Sequence, residues 1–94
     1  MTIQERIQSN IGTIVDVRTV SEFTAEHVEG SINIPLNQIE ARLDELKALK
    51  QPLLLCCLSG GRSGQAQNYL SQQGLECYNA GGWADVEFMK QKND

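Results

Sequence analysis

One segment constrains the fold more than any other: an apolar run that leads directly into a glycine-rich loop. Residues 53–58 form the longest apolar stretch of the 94-residue chain, and this is the length of one buried strand. Ser59, Gly60, Gly61 and Arg62 follow without interruption. Two consecutive glycines permit positive φ, so the backbone amides of this loop can fold inward. In an open α/β sheet, a loop at the carboxyl end of a strand is where a ligand binds.

Strand-like and helix-like segments alternate along the rest of the chain. The strand-like segments are residues 13–17, 31–34, 53–56 and 75–78. The helix-like segments follow the capping residues Thr2, Ser21 and Asn37 and occupy residues 63–73 and 83–89, and residues 79–82 are predicted to form a turn. This alternation predicts a parallel sheet covered by helices on both faces. The length fits a single domain over residues 1–94.

Charge and composition exclude several classes of protein. The formal net charge is −4, and the eight bases are scattered, whereas a protein that binds nucleic acid needs a basic surface to displace counterions. No apolar run approaches the roughly 18 residues needed to cross a bilayer. We therefore expect no nucleic acid and no membrane as partners, and any anion must be captured at one local site.

The cysteines point to a reducing compartment. The chain has three, which is too few for a disulfide framework, and neither a CxxC motif nor a Cys/His spacing suggests zinc. We therefore expect no metal. The N-terminal residues lack the basic-then-apolar profile of a signal peptide. These features predict a cytoplasmic protein, or a periplasmic one if a signal peptide has been removed.

Cys57 is the candidate nucleophile. The loop amides, the N-terminus of the following helix and the charge of Arg62 would all stabilise its thiolate, and cysteines in such settings titrate below the ordinary value of about 8.5. The same loop would hold the oxygens of a small oxyanion. Cys56 should point to the opposite face of the strand, so we expect it, like Cys77, to be a core residue. The pattern indicates a nucleophilic cysteine in an anion-binding loop.

The chain also resembles the rhodanese family. Residues 57–63 match its C-x-S-G-x-R-S pattern without a gap, and residues 16–18, 22–23 and 27–35 resemble the rest of its signature. Residues 63–66 and 79–82 are similar to those of small single-domain members. The resemblance implies a five-stranded parallel sheet with helices on both faces, although the family's opening strand has no clear counterpart before Ile14. It also implies sulfur transfer through a cysteine persulfide.

The resemblance assigns roles residue by residue. Cys57 becomes the catalytic, sulfur-accepting residue, and Arg62 is oriented towards the oxyanion of the donor. The implied substrate-binding residues are Leu58, Ser59, Gly60, Gly61, Arg62 and Ser63. The family positions at Asp16, Arg18 and Glu22 are interpreted as structural. The implied enzyme is a monomeric thiosulfate sulfurtransferase without a cofactor, which takes sulfur from thiosulfate or a related donor and passes it to cyanide, a thiol or a sulfur-relay protein.

Two alternatives stay open at this stage. Counted from Cys56, the segment has the Cys-x5-Arg-Ser spacing of a cysteine phosphatase, whereas counted from Cys57 it is Cys-x4-Arg, a tighter loop with less room for a phosphoryl group. No general-acid aspartate lies nearby in the sequence. Because a fold does not fix a function, a non-catalytic interaction or sulfur-carrier module is the other alternative.

His27, the only histidine, is predicted to lie in a structural turn, and Trp83 to be a packing anchor.

Overall fold

The computed structural model describes residues 1–91, so the last three residues of the expected domain lie outside the described part. The elements in chain order are α1 (Ile3–Gln8), β1 (Thr13–Asp16), α2 (Val20–Ala25), β2 (Ile32–Asn33), α3 (Leu43–Ala48), β3 (Leu53–Cys57), α4 (Gly61–Gln72), β4 (Cys77–Gly82) and α5 (Trp83–Gln91). A 3₁₀ turn, Leu36–Gln38, lies between β2 and α3. None of the helices within residues 1–91 is both long and apolar enough to cross a membrane.

The strands form one parallel sheet in the order β2-β1-β3-β4. The apolar run of the sequence forms β3, which pairs with a strand on each side and is buried at every residue. A strand that is covered on both faces must be apolar throughout rather than alternating. The predicted α/β class with a parallel sheet is therefore confirmed, and β3 brings the glycine-rich loop to the carboxyl edge of the sheet.

The expectation of five strands is wrong for the described residues, whose sheet has four. The segment before β1 forms helix α1 instead, and a capping box between Thr2 and Glu5 begins this helix. Ile7 of α1 is buried in the core on one face of the sheet. The chain then turns through Asn10 and Gly12, both at positive φ, and enters β1 directly. The residues available for an opening strand are thus used in a helix and a turn.

Alternating side chains of β3 divide the core into two layers. Leu53, Leu55 and Cys57 face the layer that contains the buried residues of α3 and α4. Leu54 and Cys56 face the layer that contains those of α1 and α5. This is the period-2 alternation of a strand. The two adjacent cysteines consequently lie on opposite faces of the sheet.

Residues 79–82 form the end of strand β4 and not the predicted turn. Leu55 pairs with Asn79 and Cys56 pairs with Gly81, so Ala80 is an extra residue in β4. Such a β-bulge redirects side chains near the end of a strand, and glycine in a strand often accompanies one. The two glycines therefore mark an irregular strand beside the loop, which the sequence alone does not distinguish from a turn.

The predicted helix starts also need correction. Thr19, not Ser21, caps α2, because the side chains of Thr19 and Glu22 form a capping box. Asn37 caps no helix, because it lies in the 3₁₀ turn. In this turn, the Leu36 amide donates to the carbonyl of Val17, the residue that follows β1. The next helix, α3, begins only at Leu43.

Candidate active site

The sulfur of Cys57 lies inside the loop that joins β3 to α4. Cys57 is the last residue of β3, and Gly60 caps α4 with a φ of 101°. This backbone conformation favours glycine, and it turns the Gly60 amide towards the sulfur, to which it donates at 3.0 Å. The Ser63 hydroxyl lies 3.4 Å from the same sulfur. One donor from the loop and one from the first turn of α4 therefore converge on one atom.

These donors make the thiolate of Cys57 accessible near neutral pH. Burial by itself opposes the charged form, but hydrogen bonding by the hydroxyl and backbone of Ser63 and by the backbone of Gly60 and Ser59 outweighs it and lowers the pKa of Cys57 to about 7. Hydrogen bonds to the charged form favour it. Cys57 is only 1% exposed, so these hydrogen bonds act on a nearly buried sulfur.

Cys56 has the opposite electrostatic environment. It is fully buried on the other face of the sheet, where desolvation, followed by the charge of Asp16, raises the pKa of its thiol to about 12. A buried thiol beside a negative charge stays protonated and unreactive near neutral pH. The two neighbouring cysteines therefore differ in chemistry because strand geometry gives them different surroundings.

The loop can approach β4 closely because Gly82 has no side chain. A Cβ atom built on Gly82 would lie 2.6 Å from the carbonyl oxygen of Leu58, a distance that a real side chain does not tolerate. The side chain of Leu58 itself is exposed. Gly82 therefore lets the loop backbone pack against the end of β4.

Arg62 is held by Glu22 of α2. Its two terminal nitrogens contact the two carboxylate oxygens at 2.7 and 3.1 Å, a bidentate arrangement that specifies geometry as well as charge. The Arg62 guanidinium is the main reason that the pKa of Glu22 falls to about 2. Both side chains are about one third exposed. Glu22 is thus a partner of the loop that the sequence analysis interpreted only as structural.

A cleft opens beside Arg62 at the carboxyl edge of the sheet. Its volume is about 330 Å³. Its walls are mostly apolar, and it is lined by Val17, Thr19, Pro35, Leu36, Asn37 and Arg62. The cleft therefore combines an apolar surface with one cationic side chain.

Asn79 is the second residue of the site that the sequence analysis missed. Its side chain donates to the carbonyl of Gly60 at 2.9 Å and accepts from the hydroxyl of Ser63 at 2.7 Å and from the amide of Gly81 at 3.0 Å. Asn79 pairs with Leu55, so strand alternation puts its side chain on the face of the sheet that Cys57 occupies. The available sequence signal was a hydrogen-bonding residue two positions before Gly81 and Gly82, but the predicted turn concealed it.

A buried ion pair supports the carboxyl edge of the sheet next to this site. The Arg18 guanidinium contacts both carboxylate oxygens of Asp16, with the shortest distance at 2.7 Å, and both residues are buried. Arg18 also donates to the carbonyl of Glu26 and lies over the ring of Trp83. Charged hydrogen bonds in several directions satisfy a group that would otherwise be costly to bury. These contacts agree with the structural interpretation of Asp16 and Arg18.

The remaining candidates lie apart from the sulfur. The ring of His27 stacks on Phe23, and its Nδ1 lies 2.7 Å from the carbonyl oxygen of that residue. Cys77 pairs with Leu53 at the start of β3, four residues from Cys57, which corresponds to about 13 Å along a strand. In the described part of the chain, no group of three or more His, Cys, Asp or Glu side chains is arranged to hold a metal ion.

The fold and the loop agree with the family to which the chain is related. Residues 2–87 match the rhodanese-like domain family, so the chain belongs to that family. Over 80 residues it is 38% identical to the thiosulfate sulfurtransferase PspE of Escherichia coli (strain K12), an alignment that covers 83% of this chain and 77% of PspE. The chain is thus similar to a member that is named as a thiosulfate sulfurtransferase.

Two solved structures share the architecture. The rhodanese with anions from E. coli matches with a TM-score of 0.70 and 36% identity over 78% of this chain and 88% of its own. The reduced CoADR-RHD of Bacillus anthracis matches with a TM-score of 0.76 and 30% identity over 94% of this chain. That match spans only 16% of the Bacillus chain, so the likeness concerns one part of a much longer protein.

Proposed function

We propose that this protein is a sulfurtransferase that moves sulfane sulfur from thiosulfate, or a related donor, to cyanide or a thiol through a persulfide on Cys57. The observation that carries the proposal is the convergence of the Gly60 amide and the Ser63 hydroxyl on the Cys57 sulfur. Membership of the rhodanese-like family and the similarity to PspE support the same chemistry.

The proposed first half-reaction is a nucleophilic displacement. The thiolate of Cys57 attacks the outer sulfur of thiosulfate, a new S–S bond forms, and the bond between the outer and central sulfurs breaks. Sulfite leaves with the electron pair of that bond, and the transferred sulfur carries the negative charge of the persulfide. A pKa near 7 suits Cys57 for this step, because about half of it is thiolate at neutral pH without much loss of nucleophilicity.

In the second half-reaction, cyanide or a thiolate attacks the outer sulfur of the persulfide. The S–S bond to Cys57 breaks, and the cysteine leaves as the thiolate, ready for another donor. The donors that stabilise this thiolate therefore also favour its departure. The proposed binding set comprises Leu58, Ser59, Gly60, Gly61, Arg62 and Ser63.

The proposed role of Arg62 is to contact the oxyanion of the donor at the edge of the apolar cleft. Glu22 already compensates its charge. A dianionic donor must therefore compete with that carboxylate or accept a partly neutralised site. This arrangement favours weak use of thiosulfate and better use of donors that carry less charge and have an apolar body.

The phosphatase alternative receives less support. It needs Cys56 as the nucleophile, but that residue is buried in the opposite layer and its pKa is raised to about 12. A pure interaction module has no need of a nucleophile, whereas Cys57 and its hydrogen-bond donors are all present. A sulfur carrier would use the same persulfide on Cys57. Sulfur transfer is the function that uses the geometry found at the loop.

Mass spectrometry of the intact protein tests the proposal directly. After treatment with thiosulfate, we expect the mass to increase by one sulfur atom and cyanide to remove that atom as thiocyanate. Cys57→Ser should abolish the addition. Cys56→Ser is the matched control, because it changes the neighbouring thiol on the other face of the strand, and it should retain the addition. The proposal would be contradicted if Cys56→Ser failed to add sulfur while Cys57→Ser still added it. Hydrolysis of an aryl phosphate that depends on Cys56 would also contradict it.

A further inference from the structure

The side-chain amide of Asn79 lies beside the loop and the first turn of α4 that surround the sulfur of Cys57. It contacts the backbone of Gly60, the hydroxyl of Ser63 and the backbone of Gly81. A Cβ atom on Gly64 would lie 3.3 Å from its nitrogen, and one on Gly60 would lie 3.8 Å away. The loop and the first turn of α4 therefore pack directly on this amide and leave it little freedom to turn.

The two backbone contacts fix which end of the amide faces which neighbour. The Gly81 amide can only donate, and it lies 3.0 Å from the oxygen of Asn79. The Gly60 carbonyl can only accept, and it lies 2.9 Å from the nitrogen. The reversed orientation would place two donors together at one end and two acceptors together at the other. The oxygen of Asn79 therefore faces Ser63, and at 2.7 Å the serine must be the donor.

The Ser63 hydroxyl thus has two acceptors for a single proton. One is the oxygen of Asn79 at 2.7 Å, and the other is the sulfur of Cys57 at 3.4 Å. A hydroxyl carries one proton and two lone pairs. When Cys57 is a thiol, its S–H can donate to the serine oxygen while the serine donates to Asn79. When Cys57 is a thiolate, the serine proton is drawn towards the sulfur, because hydrogen bonds to a charged acceptor are stronger.

We propose that Asn79 is a positioning residue whose side-chain carbonyl oxygen competes with the sulfur of Cys57 for the single proton of the Ser63 hydroxyl. Asn79 does not touch the sulfur and acts through Ser63. The inference rests on the proposed role of Cys57 as the nucleophile. Its consequence is that the contribution of Ser63 to the thiolate depends on how strongly residue 79 accepts the same proton.

The charged and titratable groups that surround Cys57 in the native chain are kept in every variant, and only Asn79→Asp adds one. They are Arg62, whose charge is paired with Glu22, the buried ion pair of Asp16 with Arg18, and the thiol of Cys56. None of them is replaced in the variants below. A comparison made within one background at residue 79 therefore cancels their effects.

The test measures the effect of Ser63→Ala in three backgrounds: Asn79→Ala, the native chain and Asn79→Asp. In each pair, the rate of iodoacetamide alkylation at Cys57 is followed against pH, and its midpoint gives the ionisation constant. Alanine removes the competing acceptor. A carboxylate accepts more strongly than an amide, but its second oxygen replaces the donor to the Gly60 carbonyl, so the folding of Asn79→Asp is checked first. Each comparison is made between two chains that share residue 79, so any direct effect of the new side chain on the sulfur cancels. Thermal unfolding monitors whether each variant is folded.

We expect Ser63→Ala to weaken the ionisation of Cys57 most in Asn79→Ala, less in the native chain and least in Asn79→Asp. A hydrogen bond to a charged acceptor typically changes an equilibrium by roughly tenfold or more, so the two extreme backgrounds should differ by at least about threefold. Equal effects in all three backgrounds, or the reverse order, would overturn the inference. If one variant at residue 79 does not fold, the other still gives a comparison with the native chain.

The readout also separates this inference from the proposed function. The ordered series of midpoints requires only that Cys57 ionise, not that it transfer sulfur. The ordered series without persulfide formation would support the shared proton and contradict the function. Persulfide formation with three equal effects would support the function and overturn the shared proton. A purely structural role for Asn79 would change the unfolding temperature without ordering the midpoints.

Discussion

Alkylation at neutral pH should distinguish the two adjacent cysteines by a large factor. Cys57 and Cys56 are almost equally buried, at 1% and 0% exposure, so access favours neither strongly. With pKa values of about 7 and about 12, the thiolate fractions at pH 7 are about one half and about one in 10⁵. The ratio of thiolate populations is therefore about 5 × 10⁴.

The rate ratio is smaller than the population ratio, because a thiolate of low pKa is a weaker nucleophile. With a Brønsted coefficient near 0.4–0.5, the difference in pKa reduces the advantage of Cys57 by roughly 10²–10^2.5. We therefore expect iodoacetamide to react at Cys57 about 10²–10³ times faster than at Cys56. The midpoint of the Cys57 rate should lie near pH 7, below the ordinary value of about 8.5.

The assay needs fragmentation, because both cysteines fall in the tryptic peptide of residues 51–62. Brief alkylation of the folded protein, followed by quenching, digestion and tandem mass spectrometry, locates the label between the two residues. Alkylation after unfolding is the control, and there the two sites should react at comparable rates. Faster reaction of Cys56 in the folded protein, or a Cys57 midpoint at or above pH 8.5, would refute the electrostatic argument for the loop.

Three further predictions concern the loop and its ion pair. Arg62→Ala should lower kcat/KM for thiosulfate by roughly tenfold, because a charge-assisted contact to the oxyanion is lost. The same substitution should affect an uncharged sulfane donor less, and equal effects on both donors would contradict an anion contact. Glu22→Gln should raise kcat/KM for thiosulfate in steady-state assays. In the native chain, the pKa of Glu22 is lowered to about 2, so its ionised form stabilises the fold above about pH 4.3 and this contribution is lost as the pH falls towards 2. Glu22→Gln lacks this contribution, so its stability should fall less on acidification. Acid unfolding curves that are the same for both proteins would argue against the ion pair. Insertion of one glycine between Gly60 and Gly61 should lower the rate of sulfur transfer by at least about tenfold, because the hydrogen-bond donors no longer converge on the Cys57 sulfur. Circular dichroism checks that the variant is folded, and full activity would show that loop length is not critical.

The sequence alone determined the features that depend on neighbours in the chain. A continuous apolar run must be covered on both faces, which predicts a central parallel strand. Strand alternation then separates Cys56 from Cys57. Consecutive glycines before a helix predict a loop whose amides face inward. The capping of the first helix by Thr2 was also local, and it was confirmed.

The tertiary structure decided the features that depend on distant segments. Glu22 meets Arg62 across 40 residues, and Asn79 meets Ser63 across 16. No local pattern encodes either distance. The bulge at Ala80 arises from the pairing of β4 with β3, and it was mistaken for a turn because glycine is common in both. The N-terminal helix begins at its predicted capping residue, but only the tertiary structure shows that Ile7 packs it against the sheet and that the described residues contain no fifth strand. Short-range chemistry thus predicted the candidate nucleophile, whereas the contacts that orient its hydrogen-bond donors exist only once the strands and helices have packed together.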